Sequence, residues 1–182
     1  PIRRHPQRKE PARERRDVVT FDEIPPVVID ATTSIEDKTF WENAGFDPAG
    51  IISAALDTIS GNARGASTVT QQLVRNRLLP ESAFTTTYER KIREIIQSIR
   101  LTQAFPGEEG KKKIIAAYLN DNFFGNNSYG IAAAARGYWG VSLDKLTLAQ
   151  AAILAALFQS PSTYDLIRNA VDCAHFHPRL RE

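Results

Sequence analysis

The sequence predicts an all-α domain, and three observations lead to this prediction. Apolar residues recur at three- and four-residue spacings through most of the chain, whereas the strict alternation typical of strands is scarce. Prolines and glycines fall where helices would start or stop, as at Pro25-Pro26, Asp47-Pro48 and Pro106-Gly107. With 182 residues, the chain has the length of one domain with a substantial core.

Each predicted helix has its own start, stop and apolar stripe. The first follows Pro25-Pro26 and runs towards Glu36; the others span residues 47–61, 69–78, 88–105, 111–120, 131–138 and 146–158. The helix over 88–105 is the most clearly amphipathic, because Ile92, Ile95, Ile96 and Ile99 form one stripe. The run 146–158 is the longest apolar one and has the length of a buried core helix, short of the roughly eighteen residues that a spanning helix needs.

The net charge of +2 is unevenly distributed along the chain. The first sixteen residues, PIRRHPQRKEPARERR, carry seven Arg or Lys against two Glu, which gives +5 and leaves −3 for the remainder. We interpret residues 1–20 as a basic, disordered arm, with contact to anionic lipid or nucleic acid as the alternative. The folded domain is predicted over 21–172, followed by a linker or the start of a further segment over 173–182. The single cysteine, Cys173, excludes an internal disulfide and a cysteine-based metal cage.

The stretch TTSIEDKTFW contains the first candidate catalytic group. Thr33 and Glu36 match the spacing of a capping box, which would make Glu36 a helix-capping carboxylate. Against this, the helix that starts at Pro25-Pro26 is already in progress at Thr33. Flanked by Ile35 and aromatic residues, the Glu36 carboxyl would then be partly desolvated and suited to act as a general base.

Three further stretches combine polar and charged side chains. GASTVTQQLVRN is a Gly turn that enters a helix, a pattern typical of anion binding but also of ordinary N-capping by Ser67 or Thr68. Glu94 in RKIRE faces away from the Ile stripe, either as a solvated carboxylate or as one held ionised by neighbouring cations on a cleft-lining face. The lysine run 111–113 is typical of a solvent face, yet Asn120 and its polar neighbours leave that helix together, as ligand-binding groups often do.

Taken in order, these stretches closely resemble the peptidoglycan glycosyltransferase domain of class A penicillin-binding proteins and monofunctional transglycosylases. The segments IEDKTFWENAGFD, GASTVTQQLVRN, RKIRE, KKKIIAAYLNDNFFG and YGIAAAARGYWG look like the five motifs of that family. The resemblance covers about residues 27–169 and implies a lysozyme-like fold with a membrane-facing cleft. It also implies a location at the extracytoplasmic face of the bacterial cell membrane, with an N-terminal transmembrane anchor that this stretch of chain lacks.

The resemblance implies the joining of lipid II disaccharides into β-1,4-linked glycan strands, with inversion and release of undecaprenyl pyrophosphate. Glu36 would be the general base, and Glu94 would help to organise the leaving group. The expected substrate-binding residues are Asp37, Phe40, Arg64, Ser67, Thr68, Gln71, Gln72, Arg75, Asn76, Arg90, Lys91, Tyr118, Asn120 and Tyr138. The implied partners are lipid II, the growing chain, the membrane surface and a C-terminal transpeptidase domain, but no nucleic acid. A divalent cation such as Mg²⁺ or Mn²⁺ is expected at the pyrophosphate, without an organic cofactor or a dedicated metal cage.

The chain departs from the usual motifs at several positions. Asn43 stands where the family often has His, Arg75 replaces a more usual Lys, Lys113 and Ala116 stand where Glu is common, and Val141 where Lys is common. These changes bear on donor binding and cation use more than on the two central carboxylates. The alternatives are a lysozyme-like enzyme that cleaves glycan and a non-catalytic module that binds lipid-linked glycan.

Overall fold

A computed structural model of the chain describes residues 15–59, 65–79 and 88–158, together with Tyr164. Seven α-helices account for most of these residues, and the all-α prediction is confirmed. They are α1 (Pro26–Glu36), α2 (Pro48–Ile59), α3 (Val69–Leu78), α4 (Tyr88–Ala104), α5 (Gly107–Asp121), α6 (Ile131–Trp139) and α7 (Leu148–Leu157). Short 3-10 turns lie at Phe21–Glu23 and Leu143–Lys145, and two short strands, β1 (Arg15–Arg16) and β2 (Ser128–Tyr129), pair in parallel.

The helix boundaries follow the local signals closely. α1 starts with proline in its first turn, and α3 and α7 each begin with a capping box, at Thr68 and Thr147. α5 starts at Gly107, four residues before its predicted start at Lys111. Its first turn holds Glu108 and Glu109, which suit the positive end of the helix dipole and pair with Lys112 one turn later.

The core forms where α1 packs against α7 and where α3 packs against both α4 and α5. Its largest fully buried side chains include Phe40, Tyr118, Phe124, Ile115, Leu119, Ile131, Leu154 and Leu157. The apolar run that predicted the last helix is therefore a core helix, as expected. Within the described ranges, no helix is both long and apolar enough to cross a membrane.

Helix α4 buries a polar face, which the amphipathic pattern did not predict. Ile92 and Ile96 on the Ile stripe remain 57% and 43% exposed, whereas Glu94 and Ser98 are fully buried. The interpretation of Glu94 as a solvated carboxylate is therefore wrong. The cause is tertiary packing, since α4 lies against α3 and against the turn at Gly45. The turn approaches α4 so closely that a Cβ on Gly45 would lie 2.4 Å from the backbone oxygen of Ser98.

The chain is folded from before residue 21, so the predicted boundary of the basic arm is too late. Strand β1 pairs with β2, and the side chain of Asp17 forms an ion pair with Arg136 on α6. The Asn120 amide holds Val19 from both sides: its Oδ1 accepts from the Val19 N–H at 2.9 Å, and its Nδ2 donates to the Val19 carbonyl at 2.7 Å. Residues 1–14 of the arm and the segment 173–182 lie outside the described residues.

Candidate active site

Glu36 is the last residue of α1 and does not cap a helix. Thr33 is buried in the preceding turn of the same helix, where its hydroxyl donates to the Ile29 carbonyl at 3.0 Å. The capping-box interpretation is therefore wrong. The Glu36 side chain is partly buried, and this burial raises the pKa of its carboxyl above the ordinary value, against the lowering effects of the Gln72 hydrogen bond and the Arg75 charge.

Gln72 connects Glu36 to the buried Tyr118. The Gln72 Nε2 donates to Glu36 Oε2 at 2.7 Å, and the Gln72 Oε1 accepts from the Tyr118 hydroxyl at 3.0 Å. Burial raises the pKa of Tyr118 well above its usual range, so its hydroxyl remains a donor. Because that donor occupies the Gln72 oxygen, the amide nitrogen must face Glu36, which fixes the orientation of the carboxylate.

Asp37 lies directly after Glu36 and binds the first turn of α3. Its Oδ2 accepts from the Val69 N–H at 3.1 Å, and its Oδ1 accepts from Asn43 Nδ2 at 2.9 Å and from the Thr39 hydroxyl at 3.3 Å. Burial raises the pKa of the Asp37 carboxyl, and the bonds from Asn43 and Val69 act in the opposite direction. The Asp37 carboxylate thus already accepts a hydrogen bond from the first N–H group of α3.

The other hydrogen bonds at this helix start are internal as well. The Thr68 hydroxyl accepts from the Gln71 N–H at 3.2 Å, and the Thr68 carbonyl accepts from the Gln72 N–H at 3.0 Å. The Thr68 hydroxyl also donates to the Gly45 carbonyl at 2.8 Å. N-capping therefore explains Thr68 and Gln71, both of which are buried.

A second cluster surrounds Glu94 at the contact of α4 with α3. Arg90 Nε lies 3.3 Å from Glu94 Oε1, and Lys91 Nζ lies 3.7 Å from Oε2. Lys91 also donates to the Ser67 hydroxyl at 2.8 Å. Burial lowers the pKa of Lys91, while the Glu94 charge raises it. Two cations thus compensate the buried charge of Glu94.

Arg75 on α3 connects the two clusters electrostatically. Its charge lowers the pKa of Glu36 on one side and the pKa of Lys91 on the other. A cleft of about 340 Å³ opens beside these groups, lined by Glu36 and Ser67 together with Ile35, Asp37, Lys38, Asp47, Gly50, Ser53, Gly65, Ala66 and Thr68. The arrangement places a partly buried carboxylate at a polar cleft, with cationic side chains on the adjoining helices.

Several expected substrate-binding residues make contacts within the protein. Phe40 is fully buried in the core, Asn120 holds Val19, and the Tyr138 hydroxyl donates to the Phe124 carbonyl at 2.7 Å. Asn76 is exposed and donates to the side-chain oxygen of Asn122 at 3.3 Å. Arg64 lies outside the described residues. The compact site is therefore formed by Glu36, Gln72, Arg75, Ser67, Lys91, Arg90 and Glu94, with Asp37 and Tyr118 behind them.

Lys111 is buried, contrary to the prediction of a solvent-facing lysine run. It is only 5% exposed, and its Nζ donates to the Asn43 carbonyl at 2.7 Å. Helical spacing carried the signal, because Ile114, Ile115 and Tyr118 follow Lys111 at i+3, i+4 and i+7 on the buried face. Among the departures, Lys113 is exposed, Ala116 is buried, and Val141 packs against the core.

The expected divalent cation stays a prediction. Across the described part of the chain, no three His, Cys, Asp or Glu residues lie close enough together to hold a metal ion. The one carboxylate in the cationic cluster, Glu94, already faces Arg90 and Lys91. These side chains alone do not form the oxygen-rich set that Mg²⁺ prefers.

The sequence of the chain matches a known enzyme family. The sequence profile of the Transglycosylase family matches residues 4–179, and the chain belongs to this family. Its activity class is that of a glycosyltransferase, as the motifs predicted, and the lysozyme-like all-α fold fits this assignment.

Individual relatives are penicillin-binding proteins. The chain is 44% identical to penicillin-binding protein 1A of Escherichia coli (strain K12) over 154 residues, which is 83% of this chain and 17% of that protein. It is 40% identical to penicillin-binding protein 1A of Rickettsia felis over 88% of this chain and 20% of the relative, and 39% identical to that of Aquifex aeolicus over 84% and 20%. The chain thus spans about a fifth of the length of these relatives.

Proposed function

We propose that the domain is a peptidoglycan glycosyltransferase that polymerises lipid II into β-1,4-linked glycan strands. The observation that carries the proposal is the Glu36 carboxylate, partly buried and oriented by Gln72, at a cleft beside Arg75, Lys91 and Arg90. A carboxyl with a raised pKa is a better proton acceptor than an exposed one, and the nearby cations suit a diphosphate leaving group. Membership of the transglycosylase family supports the same reaction class.

In the proposed reaction, Glu36 takes the proton of the acceptor sugar's 4-hydroxyl as that oxygen attacks the anomeric carbon of the donor chain. The bond from this carbon to the undecaprenyl pyrophosphate oxygen breaks, and the leaving group departs with the electron pair, so the anomeric centre inverts. Arg75, Arg90 and Lys91 would oppose the charge that develops on the diphosphate, with Glu94 holding Arg90 and Lys91 in place. A positioned base contributes roughly 10²–10⁴-fold to such a step.

The proposal extends to the setting of the complete protein. A lipid-linked substrate requires the cleft to lie at a membrane surface, and peptidoglycan synthesis places it at the extracytoplasmic face of the bacterial cell membrane. The names of the relatives support a penicillin-binding transpeptidase domain elsewhere in the complete protein.

The test is polymerisation of labelled lipid II by the complete protein, comparing the wild type with Glu36→Gln and Glu42→Gln. Glu36→Gln keeps the Gln72 contact but removes the base, so we expect the rate to fall at least about 100-fold while lipid II binding persists. Glu42 is exposed and lies outside the compact site, so Glu42→Gln should polymerise like the wild type.

Three results would contradict the proposal. Polymerisation by Glu36→Gln at the wild-type rate would exclude Glu36 as the base. Release of soluble fragments from purified sacculi by the wild type, without polymerisation, would favour a lysozyme-like hydrolase. Tight lipid II binding by the wild type without turnover, whichever divalent cation is added, would favour a non-catalytic binding module.

A further inference from the structure

Lys111 reaches from α5 into the turn that follows Glu36. Its ammonium donates to the Asn43 carbonyl at 2.7 Å and to the Asn43 Oδ1 at 3.2 Å, and it lies 4.7 Å from the centroid of the Phe40 ring. A lysine with so little solvent exposure needs such contacts, because its charge has lost most of its hydration. Lys111 therefore joins the 37–45 turn to α5 across 68 residues of sequence.

Asn43 transmits this contact to Asp37. The Asn43 Oδ1 accepts from Lys111 and from the Gly45 N–H at 3.0 Å, so two donors face the amide oxygen. The amide nitrogen must then point the other way, where it donates to both Asp37 oxygens at 2.9 and 3.2 Å. The orientation of this amide, and with it the position of Asp37, depends on what lies at the amide oxygen.

Asp37 positions the start of the 37–45 turn, and with it Glu36, against α3. Two successive carboxylates contact the first turns of that helix, Asp37 through the Val69 N–H and Glu36 through the Gln72 side chain. Because Glu36 and Asp37 are adjacent, a shift of Asp37 displaces the backbone that carries Glu36. A misplacement of about 1 Å can lower the rate about 100-fold.

The titratable groups that interact with Asp37 lie on α1 and α5. Lys111 on α5 lowers the pKa of Asp37, whose burial otherwise raises it. Glu36, at the end of α1, and Tyr118, on α5, are within electrostatic range, since the Asp37 charge raises the pKa of each. The charge of Lys111 therefore favours the ionised form of Asp37.

We propose that Lys111 is a positioning residue for the general base: through Asn43 and Asp37 it holds Glu36, the last residue of α1, in its catalytic position against α3. This inference rests on the proposed function, since it assigns Lys111 a role in the same reaction. Lys111 does not touch substrate in this role, and in this it differs from Lys91 and Arg75, for which we propose contact with the diphosphate.

The test compares Lys111→Met, Lys111→Arg and Lys113→Met in the complete protein. Methionine keeps the apolar stem without the charge, arginine keeps the charge, and Lys113 is the exposed lysine two residues away on the same helix. In lipid II polymerisation, we expect Lys111→Met to lower kcat about 10- to 100-fold with KM unchanged, Lys111→Arg to recover much of it, and Lys113→Met to match the wild type. The acid limb of the kcat profile should move to higher pH in Lys111→Met, because Asp37 without Lys111 takes up a proton more readily.

A second measurement does not depend on activity. In hydrogen-exchange mass spectrometry without substrate, the peptide that contains Val69 should exchange at least about tenfold faster in Lys111→Met, because its N–H bond to Asp37 is weakened, but not in Lys113→Met. Wild-type kcat in Lys111→Met, or a loss confined to KM, would overturn the positioning role. Unchanged exchange at Val69 would contradict the proposed coupling from Lys111 through Asn43 to Asp37. An inactive wild type would instead refute the proposed function, and the exchange data would still decide whether Lys111 holds the turn.

Discussion

Replacing Asp37 with alanine should destabilise the domain strongly. The substitution removes the buried carboxylate that accepts hydrogen bonds from the Asn43 amide and from the Val69 N–H. Hydrogen bonds to a charged group contribute about 1.5–3 kcal/mol each. Burial of the carboxylate opposes this gain, as its raised pKa indicates. We therefore expect a net loss of about 2–4 kcal/mol in the free energy of unfolding, a large part of the roughly 5–15 kcal/mol typical of a domain.

Urea unfolding followed by circular dichroism measures this loss. The matched control is Asp30→Ala, which removes an exposed aspartate from the same part of the chain and should change the stability by less than about 0.5 kcal/mol. A loss below about 1 kcal/mol in Asp37→Ala would refute the reasoning, because it would mean that the bonds of Asp37 barely exceed the cost of burying it.

Three further predictions concern the same region. Glu36→Gln should raise the free energy of unfolding at about pH 8 but not at about pH 4. Burial raises the folded-state pKa of Glu36, so its side chain destabilises the folded state once it is ionised at high pH. Equal effects at both pH values would contradict this. Thr68→Ala should cost about 1–2 kcal/mol in urea unfolding, since it removes the cap of α3, whereas Thr68→Ser should recover most of it. Asn120→Ala should speed hydrogen exchange at Val19, whose N–H it binds, and unchanged exchange would argue against this contact.

Most of the fold could be predicted from the sequence. The α3 prediction over 69–78 agrees at both ends, because Thr68 caps its start and Pro80 follows its end. The predicted start of α5 is four residues late, because the helix begins at Gly107 with an acidic first turn that holds Glu108 and Glu109. Such boundary signals are local, involving residues within about one turn of one another, and a sequence displays them directly.

The candidate site was only partly predictable. The motif order identified Glu36 and Glu94, but spacing alone favoured a capping role for one and a solvated position for the other. The structure contradicts both interpretations: Thr33 lies inside α1, and Glu94 is fully buried at the contact between α3 and α4. Local patterns missed this because tertiary contacts decide it: Gln72, the partner of Glu36, lies on α3, and Glu94 is buried where α4 packs against α3.

The helical class, the helix positions and the family could be predicted from local sequence, because capping, periodicity and motif order are properties of neighbouring residues. Which polar groups become buried depends on how the helices pack. Asp37 is held by Val69, 32 residues away, and Asn43 by Lys111, 68 residues away. A buried charge persists only where the fold brings compensating donors to it, and that depends on how helices pack.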